Sequence, residues 1–400
     1  MKLPKAKLKK DLRRALHRGQ PWVYRDALAP APDAGDGEVV LVVGKDGRPI
    51  GRGFFSLEGP IAVRMLTTDK NEDVAVLVRA RLEQALAARR ALYASKETTA
   101  FRWVHGEGDR LPGLHVDVYG ETASTFFDGA GARAFYVGLG LPALLIELGG
   151  ELALSAVLER PRRDDAARAD TIALVGSLPA GEIEVLEHGL AFGVDLLHGQ
   201  KGGLFLDQRE NRARVRALAR GRRVLNLFGY TGGFSLHAAL GGATHTTTVD
   251  VSRAAVEAAR KNFARNAGVL EAAASAADFV AMDAFEFLEG ARARGDRYGL
   301  VISDPPSFAP NERVKSAALA SYRRLHALAA GVVEPGGTLC AASCSSHVGE
   351  AEFLATVRAG AKDAGRRFEL HEVHAAASDH PELPEFAEGR YLKFAVGTVT

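Results

Sequence analysis

Apolar and polar positions change their rhythm twice along the chain. Up to about residue 70 the apolar residues come in short alternating runs, "EVVLVVG", "PIGRGFFS" and "PIAVRMLT", punctuated by Gly and Pro. This pattern predicts a small β-rich domain over residues 1–70. A helical stripe then takes over in "EDVAVLVRARLEQALAARRALY", where Val74, Leu77, Val78, Leu82 and Leu86 share one face. "LHVDVYGETASTFF" reads as strand, "FYVGLGLPALLIEL" as mostly helix, "SAVLERP" as strand and "RPRRDDAARAD" as a charged loop, so residues 71–188 form a middle α+β region. From residue 189 the short strands "RRVLNLF", "HTTTVDV", "DFVAMDA", "YGLVISD" and "GTLCAASC" alternate with helical runs such as "SRAAVEAARKNFARNAG" and "VKSAALASYRRLHALAAGVV". Alternation of this kind predicts an α/β fold, a parallel sheet with helices on both faces, over residues 189–400. "FELHEVHA" and "GRYLKFAVGTV", separated by a Pro-rich loop, predict a terminal antiparallel pair.

Composition narrows the class only a little. A chain of 400 residues, 47% hydrophobic and 25% charged, suits a soluble protein of two or three domains. Its two cysteines, Cys340 and Cys344, exclude a disulfide scaffold and suit a reducing compartment. Met1–Lys10 is basic but no apolar run follows it, and no stretch approaches the roughly 20 apolar residues of a membrane span. A cytoplasmic protein without a membrane partner is expected. The net charge of +2 does not point to nucleic acid. However, Lys2, Lys5, Lys7, Lys9, Lys10, Arg13, Arg14 and Arg18 crowd the start against Asp11 alone. That cluster reads either as a solvated face or as a phosphate-contacting patch.

In open α/β sheets, ligands bind beyond the carboxyl ends of the strands. The first such end carries "NLFGYTGGFS", where Gly229, Gly232 and Gly233 let the backbone turn tightly and approach a ligand. Asp250 follows the second strand, placed to accept hydrogen bonds from ribose hydroxyls; Asp283 follows the third and Asp304 the fourth. A Gly turn plus an acid fits NAD as well as S-adenosylmethionine. Two features favour the latter. The glycines do not make a G-x-G-x-x-G run. And "DPP" has no role in a dehydrogenase, whereas Pro305 and Pro306 stiffen the chain and leave carbonyls that can hold a flat base by its edge. No metal is called for.

More specific stretches run through the chain in order: "HRGQPWVYRDAL", "DRLPGLHVDVYG", "HGQKGGLFLDQREN", "VLNLFGYTGGFSLHAALGGA", "VDVSRAAVEAARKN", "DPPSF", "SCSSH" and "EGRYLKF". On these stretches the chain resembles the bacterial 23S rRNA 5-methylcytosine methyltransferases of the RlmI type, over nearly its whole length. The resemblance implies an N-terminal PUA domain that binds RNA, a middle α+β domain and a C-terminal Rossmann-like class I methyltransferase domain. It implies S-adenosylmethionine as cofactor, S-adenosylhomocysteine as product and 23S rRNA as partner, and it leaves room for a homodimer. Carried over by position, Asn226, Phe228 and Gly229, with Gly232 and Gly233, line the methionine and ribose part of the cofactor. Asp250, with Ser252 nearby, takes the ribose hydroxyls. Asp283 meets the adenine amine beside Ala284 and Phe285. "FLDQRE" closes over the cofactor, with Gln208 and Arg209 near its carboxylate; the plain alternative for Arg209 is a surface charge.

The cysteines then acquire distinct readings. Along a strand, Cys340 and Cys344 lie about 13 Å apart, beyond the reach of a disulfide. Cys340 reads as a small buried hydrophobe. Cys344, at the ligand-binding edge, reads as a nucleophile that adds to carbon 6 of cytosine and makes carbon 5 reactive. Asp304, counted with the cofactor-binding residues as well, and Pro305 would hold the base edge. Many RNA 5-methylcytosine enzymes place a second cysteine after the fourth-strand proline for release; here Ser307 stands there, and the base that takes the carbon 5 proton is unassigned, with a water as one option. Two other functions compete. An RNA N-methyltransferase on guanine or adenine needs no nucleophile, but its signature has an aromatic directly after the prolines, where Ser307 stands and Phe308 comes one later. A non-catalytic RNA-binding assembly factor would not need the Gly turn, the three acids and Cys344 together.

Overall fold

The computed structural model describes residues 3–161, 170–199, 203–270, 276–309 and 311–400. Lys2 of the basic cluster, residues 162–169 of the charged loop and residues 200–202 of "HGQKGG" lie outside the described residues. The chain forms two compact units, one of residues 1–185, 195–198 and 379–389, the other of residues 186–194, 199–378 and 390–400.

The first unit opens with β1 (Lys5–Lys7), α1 (Arg13–Arg18), β2 (Trp22–Tyr24), β3 (Val39–Val43), β4 (Pro49–Phe55) and β5 (Ile61–Thr67). Their sheet has the order β1-β3-β4-β5-β2 and closes on Ala6, Leu8, Val23, Val40, Val42, Ile50, Phe55 and Val63. The basic cluster is distributed over a strand, a helix and the bend between them. Lys5 and Lys7 point outward on either side of buried Ala6, and Lys9, Arg14 and Arg18 are exposed. Lys10 pairs with Asp26 and Arg13 with Asp46, so part of the charge is already neutralised.

The same unit continues with α2 (Val74–Tyr93), β6 (Ala100–His105), β7 (Leu114–Tyr119), β8 (Thr122–Phe127), α3 (Ala130–Gly138), α4 (Leu141–Leu148), β9 (Ala156–Glu159) and β10 (Ile172–Val175). Asp73 caps α2, accepting from the Ala75 and Val76 amides, and the stripe of Val74, Val78, Leu82 and Leu86 is buried. Its sheet has the order β10-β9-β8-β7-β6. Phe54 of β4 stacks on Phe135 of α3 at 4.5 Å, so the first sheet, besides closing its own core, contributes to the core of the second. Among the described residues no single helix is long and apolar enough to cross a membrane; α3 and α4 pass that test only as a pair bent by 61°, and they bury Phe135, Tyr136, Leu141 and Leu145 in this core.

A hairpin, β11 (Ile183–Glu187) and β12 (Leu190–Val194), leads on to α5 (Arg209–Leu218), β13 (Arg223–Leu227), α6 (Gly233–Leu240), β14 (His245–Asp250), α7 (Arg253–Arg265), α8 (Ala267–Leu270) and β15 (Ala277–Ala281). Then come α9 (Ala284–Arg294), β16 (Tyr298–Ser303), α10 (Lys315–Val332), β17 (Val333–Ser343), α11 (Glu350–Asp363), β18 (Phe368–His374) and β19 (Lys393–Val399). The sheet of the second unit has the order β15-β14-β13-β16-β17-β19-β18. Five strands are parallel; β19 runs antiparallel to both β17 and β18, as the terminal pair predicts. Alternate residues serve opposite layers. Leu225, Val301, Leu339 and Ala341 pack into one core, and Val224, Leu300, Ile302, Cys340 and Ala342 into the other. Burial on both faces makes these strands nearly continuous apolar runs. The strand order reverses between β13 and β16, which places the ligand crevice beyond their carboxyl ends.

Candidate functional site

The turn after β13 is strained where the sequence does not suggest it. Phe228 (φ 58°), Tyr230 (φ 46°) and Gly232 (φ 80°) adopt the left-handed conformation, whereas Gly229 and Gly233 do not. These two glycines answer to space instead. A Cβ at Gly229 would lie 2.5 Å from Thr248 Cγ2, and one at Gly233 would lie 2.9 Å from Arg212 Cδ. Left-handed residues other than glycine cost of order 1–3 kcal/mol each and persist only where the surroundings hold them. Asp250 is one such hold: its Oδ2 accepts the Tyr230 amide at 2.9 Å and its Oδ1 the Ser252 amide at 2.9 Å. Beneath the turn, Asn226 Nδ2 donates to Ser235 Oγ at 3.0 Å, and Thr248 donates to the same oxygen at 2.7 Å. Asn226 Oδ1 is buried with no protein partner among the described residues.

Two more of the candidate residues prove to be helix caps. The Ser252 side chain accepts from Ala255 at the start of α7, and Asp283 accepts from the Phe285 and Glu286 amides at the start of α9. Asp283 is exposed, Ala284 is buried and Phe285 is half-buried against the core.

A second group of side chains gathers at the ends of β16 and β17, which are neighbours with Ser303 opposite Ala341. Asp304 and Cys344 are both half-buried there, and Pro305 is buried while Pro306 and Ser307 are exposed. Gln208 Nε2 donates to Asp304 Oδ2 at 3.0 Å, and Gln208 Oε1 accepts from Asn211 at 2.7 Å. The structure therefore sets Gln208 against the acid of "DPP". Arg209 is fully buried, which removes the surface-charge alternative. The "FLDQREN" segment is fastened further by Tyr391, which donates to Asp207 at 2.8 Å. Ser345 donates to the Ala309 carbonyl at 3.0 Å and so joins the loop after Cys344 to the loop after Pro306. Burial raises the Tyr322 hydroxyl to about 12, reinforced by the charges of Cys344 and Asp304; its oxygen lies 3.0 Å from Ser343 Oγ. Cys340 is buried in the apolar layer, and burial pushes its thiol up to about 12.

Two features escape a reading of the sequence. Glu187, Arg212 and His237 form a buried triad, with Glu187 accepting from Arg212 at 2.6 Å on each oxygen and from His237 at 3.0 Å. These residues sit in different elements, so no local spacing betrays them. The other is Lys393, 6% exposed at the start of β19. Here a signal exists, since "YLKFAVGTV" carries one charge at the head of an apolar strand.

The S-adenosylmethionine-dependent methyltransferase family matches residues 152–394, and the PUA-like domain family matches residues 6–68. The ribosomal RNA large subunit methyltransferase I of Shewanella denitrificans is 35% identical over 98% of this chain and 98% of its own. A ribosomal RNA large subunit methyltransferase of Deinococcus radiodurans is 36% identical over 94% of this chain and 92% of its own. Among solved structures, a methyltransferase complexed with S-adenosylhomocysteine superposes with a TM-score of 0.84 at 23% identity, covering 98% of this chain and 99% of that one. An S-adenosylmethionine-dependent methyltransferase from Streptococcus mutans gives 0.83 at 22% identity over the same shares. At such identities these structures bear on the fold alone.

Proposed function

Because the chain belongs to the ribosomal RNA large subunit methyltransferase I family, within the S-adenosylmethionine-dependent methyltransferases, we propose that it methylates carbon 5 of a cytosine in 23S rRNA, with Cys344 as nucleophile. The observation that carries this reading is the pairing of Asp304 and Cys344 at adjacent strand ends next to the switch point. A cytosine flipped out of its stack would enter there. An rRNA substrate implies a cytoplasmic enzyme.

The residues beyond β13 and β14 fit the cofactor. Each Asp250 oxygen spends one lone pair on a backbone amide and keeps another for a ribose hydroxyl. Asn226 Oδ1 is an acceptor left over for a ligand hydrogen. Gly229, with no room for a side chain, keeps the turn low beside Phe228. Asp283, Ala284 and Phe285 would border the adenine, and Arg209 the carboxylate. Gln208, bonded to Asp304, would act on the base side of the site instead. Bound S-adenosylmethionine supplies an electrophilic methyl group.

On the chain's side, the Cys344 thiolate forms a bond to carbon 6, and electron density moves to carbon 5 and the ring. Asp304, oriented by Gln208, holds the base edge and favours a proton on ring nitrogen 3 as that density develops. Pro305 keeps the neighbouring backbone rigid. After carbon 5 has gained its methyl group, its proton leaves to water, the S–C6 bond breaks and Cys344 is restored as thiolate.

Mass spectrometry of nucleosides from 23S rRNA of a deletion strain tests the proposal. Loss of one 5-methylcytidine is expected. Loss of a methylated guanosine or adenosine would replace it with N-methylation, and an unchanged nucleoside profile would reject it. The cofactor assignment has its own measurement. Asp250→Ala should weaken S-adenosylmethionine binding by at least roughly 10- to 100-fold, since even one charge-assisted hydrogen bond is worth about 1.5–3 kcal/mol. Calorimetry showing undiminished affinity would remove Asp250 from the site.

RNA binding by the first unit is tested through its charges. Removing residues 1–70 would strip Phe54 from Phe135 and open the unit's core, so a deletion is not clean. Changing Lys5, Lys7, Lys9, Arg14 and Arg18 together to Ala leaves that core alone. The slope of log affinity against log salt should then flatten by about 0.7–0.9 for each phosphate no longer neutralised, with cofactor binding unchanged. An unaltered slope would make the cluster a solvated face.

A further inference from the structure

Lys393 is a buried cation with no role in the chemistry proposed for Cys344. It stands opposite Ser343 across the β17–β19 ladder, one residue from the level of Cys344. Its Nζ donates to the carbonyls of Ser345 at 2.5 Å, Val348 at 2.7 Å and Tyr391 at 3.0 Å. Three donors meet three acceptors, so the group is held as an ammonium and has no lone pair to offer. Two of those carbonyls bracket the loop that begins directly after Cys344. The third belongs to Tyr391, which is bonded to Asp207. All three acceptors are neutral, and among the described residues no carboxylate makes an ion pair with Lys393.

A buried ammonium needs an opposite charge, and the surrounding groups are few. Burial pushes Lys393 down to about 8, and the charge that most opposes this is Cys344, followed by Glu350 and Glu352. Glu350 and Glu352 are exposed at the start of α11, and Glu352 is paired with Lys315 at 2.9 Å. His347 faces Glu312 at 3.6 Å, while Tyr322 and Asp304 flank Cys344 from α10 and the end of β16. Charge coupling is reciprocal, so what a Cys344 thiolate does for Lys393, the ammonium does for the thiolate.

We propose that Lys393 is the positioning residue of Cys344: it pins the loop that presents the thiol and supplies the positive charge that faces the thiolate. This rests on the reading of Cys344 as nucleophile, but its test does not need RNA. The rate of alkylation by iodoacetamide is followed against pH in the full chain, with Cys344→Ser as the blank, since Cys340 is buried. The wild-type midpoint should fall below the ordinary thiol value of about 8.5. Lys393→Met should raise it by about one pH unit or more and slow alkylation at pH 7 about tenfold. Lys393→Arg, which keeps the charge, should hold the midpoint near that of the wild type. S-adenosylhomocysteine binding by calorimetry verifies that each variant is folded. A folded Lys393→Met with an unmoved midpoint overturns the proposal, as does Lys393→Arg shifting like Lys393→Met. A wild-type midpoint at or above about 8.5 overturns it whatever the variants do. The two readings fail separately. An active Cys344→Ala removes the nucleophile but leaves the alkylation result standing, whereas an inactive Cys344→Ala with unmoved midpoints removes only Lys393.

Discussion

Cys344→Ala is expected to lower methyl transfer by roughly 10³-fold or more, the scale on which losing a covalent nucleophile is felt. Carbon 5 of cytosine is too poor a nucleophile to attack a methyl group unless carbon 6 carries an added group. The substitution removes one half-buried sulfur at a strand end, so S-adenosylhomocysteine affinity and thermal stability should stay close to wild type. Cys340→Ala should behave in the opposite way. Cys340 is fully buried among Val224, Leu300, Ile302, Phe394 and Val396, and burial raises its thiol to about 12, far from a thiolate at neutral pH. Its loss should cost about 1–2 kcal/mol of stability and spare activity. Single-turnover transfer of a labelled methyl group to an rRNA transcript reads the first effect, and denaturant titration the second. An rRNA transcript carrying 5-fluorocytosine should trap a covalent complex with the wild type and not with Cys344→Ala, because fluorine cannot leave as a proton does. A Cys344→Ala enzyme that still turns over would end the covalent reading and turn attention to nitrogen methylation.

Glu187→Ala should destabilise the second unit by about 3–5 kcal/mol, the usual consequence of leaving one partner of a buried ion pair alone. Burial opposes ionisation of Glu187, yet Arg212 and His237 outweigh it and hold the carboxyl below its ordinary range. Burial likewise lowers His237, which stays neutral and donates from Nε2. With Glu187 gone, the Arg212 guanidinium would keep, among the described residues, only the Phe205 carbonyl at 2.9 Å. Arg212 also packs against Gly233 at the start of α6, so the loss should loosen the cofactor turn as well. The pH dependence has a definite sign. Glu187 is depressed on folding, so its contribution is present above the unfolded carboxyl value of about 4.5 and is lost as pH falls further. His237, also depressed, takes up its proton more readily in the unfolded chain below about 6.5 and adds to the same acid-side loss. Glu187→Gln should therefore flatten the stability profile below about pH 4.5. A Glu187→Ala loss under about 1 kcal/mol would mean that the pair is no more than an exposed bridge in its energetics.

Much of this protein is carried by local pattern. Strands such as "YGLVISD" and "GTLCAASC" are legible because both faces are buried, which leaves runs of apolar residues with an acid or a thiol where the burial stops. The α2 stripe is legible because a single buried face repeats every 3.6 residues. The acids at 250, 283 and 304, the Gly-rich turn and the likeness to a methyltransferase family need nothing beyond the order of residues. Strand order is a different matter. That β16 lies beside β13, and β19 between β17 and β18, depends on which edges meet after the helices have packed, and no period in the chain encodes it. The details of the site follow from that arrangement. Gln208 reaches Asp304 across 96 residues, Glu187 meets His237 across 50, and Lys393 returns to the Ser345 carbonyl across 48. The left-handed residues of the turn are Phe228 and Tyr230 as well as Gly232; the fold holds Tyr230 through Asp250 and uses Gly229 and Gly233 for close approach. Periodicity reports which side of an element is dry. Which polar group a buried charge will find is decided only when distant segments are brought within about 3 Å of one another.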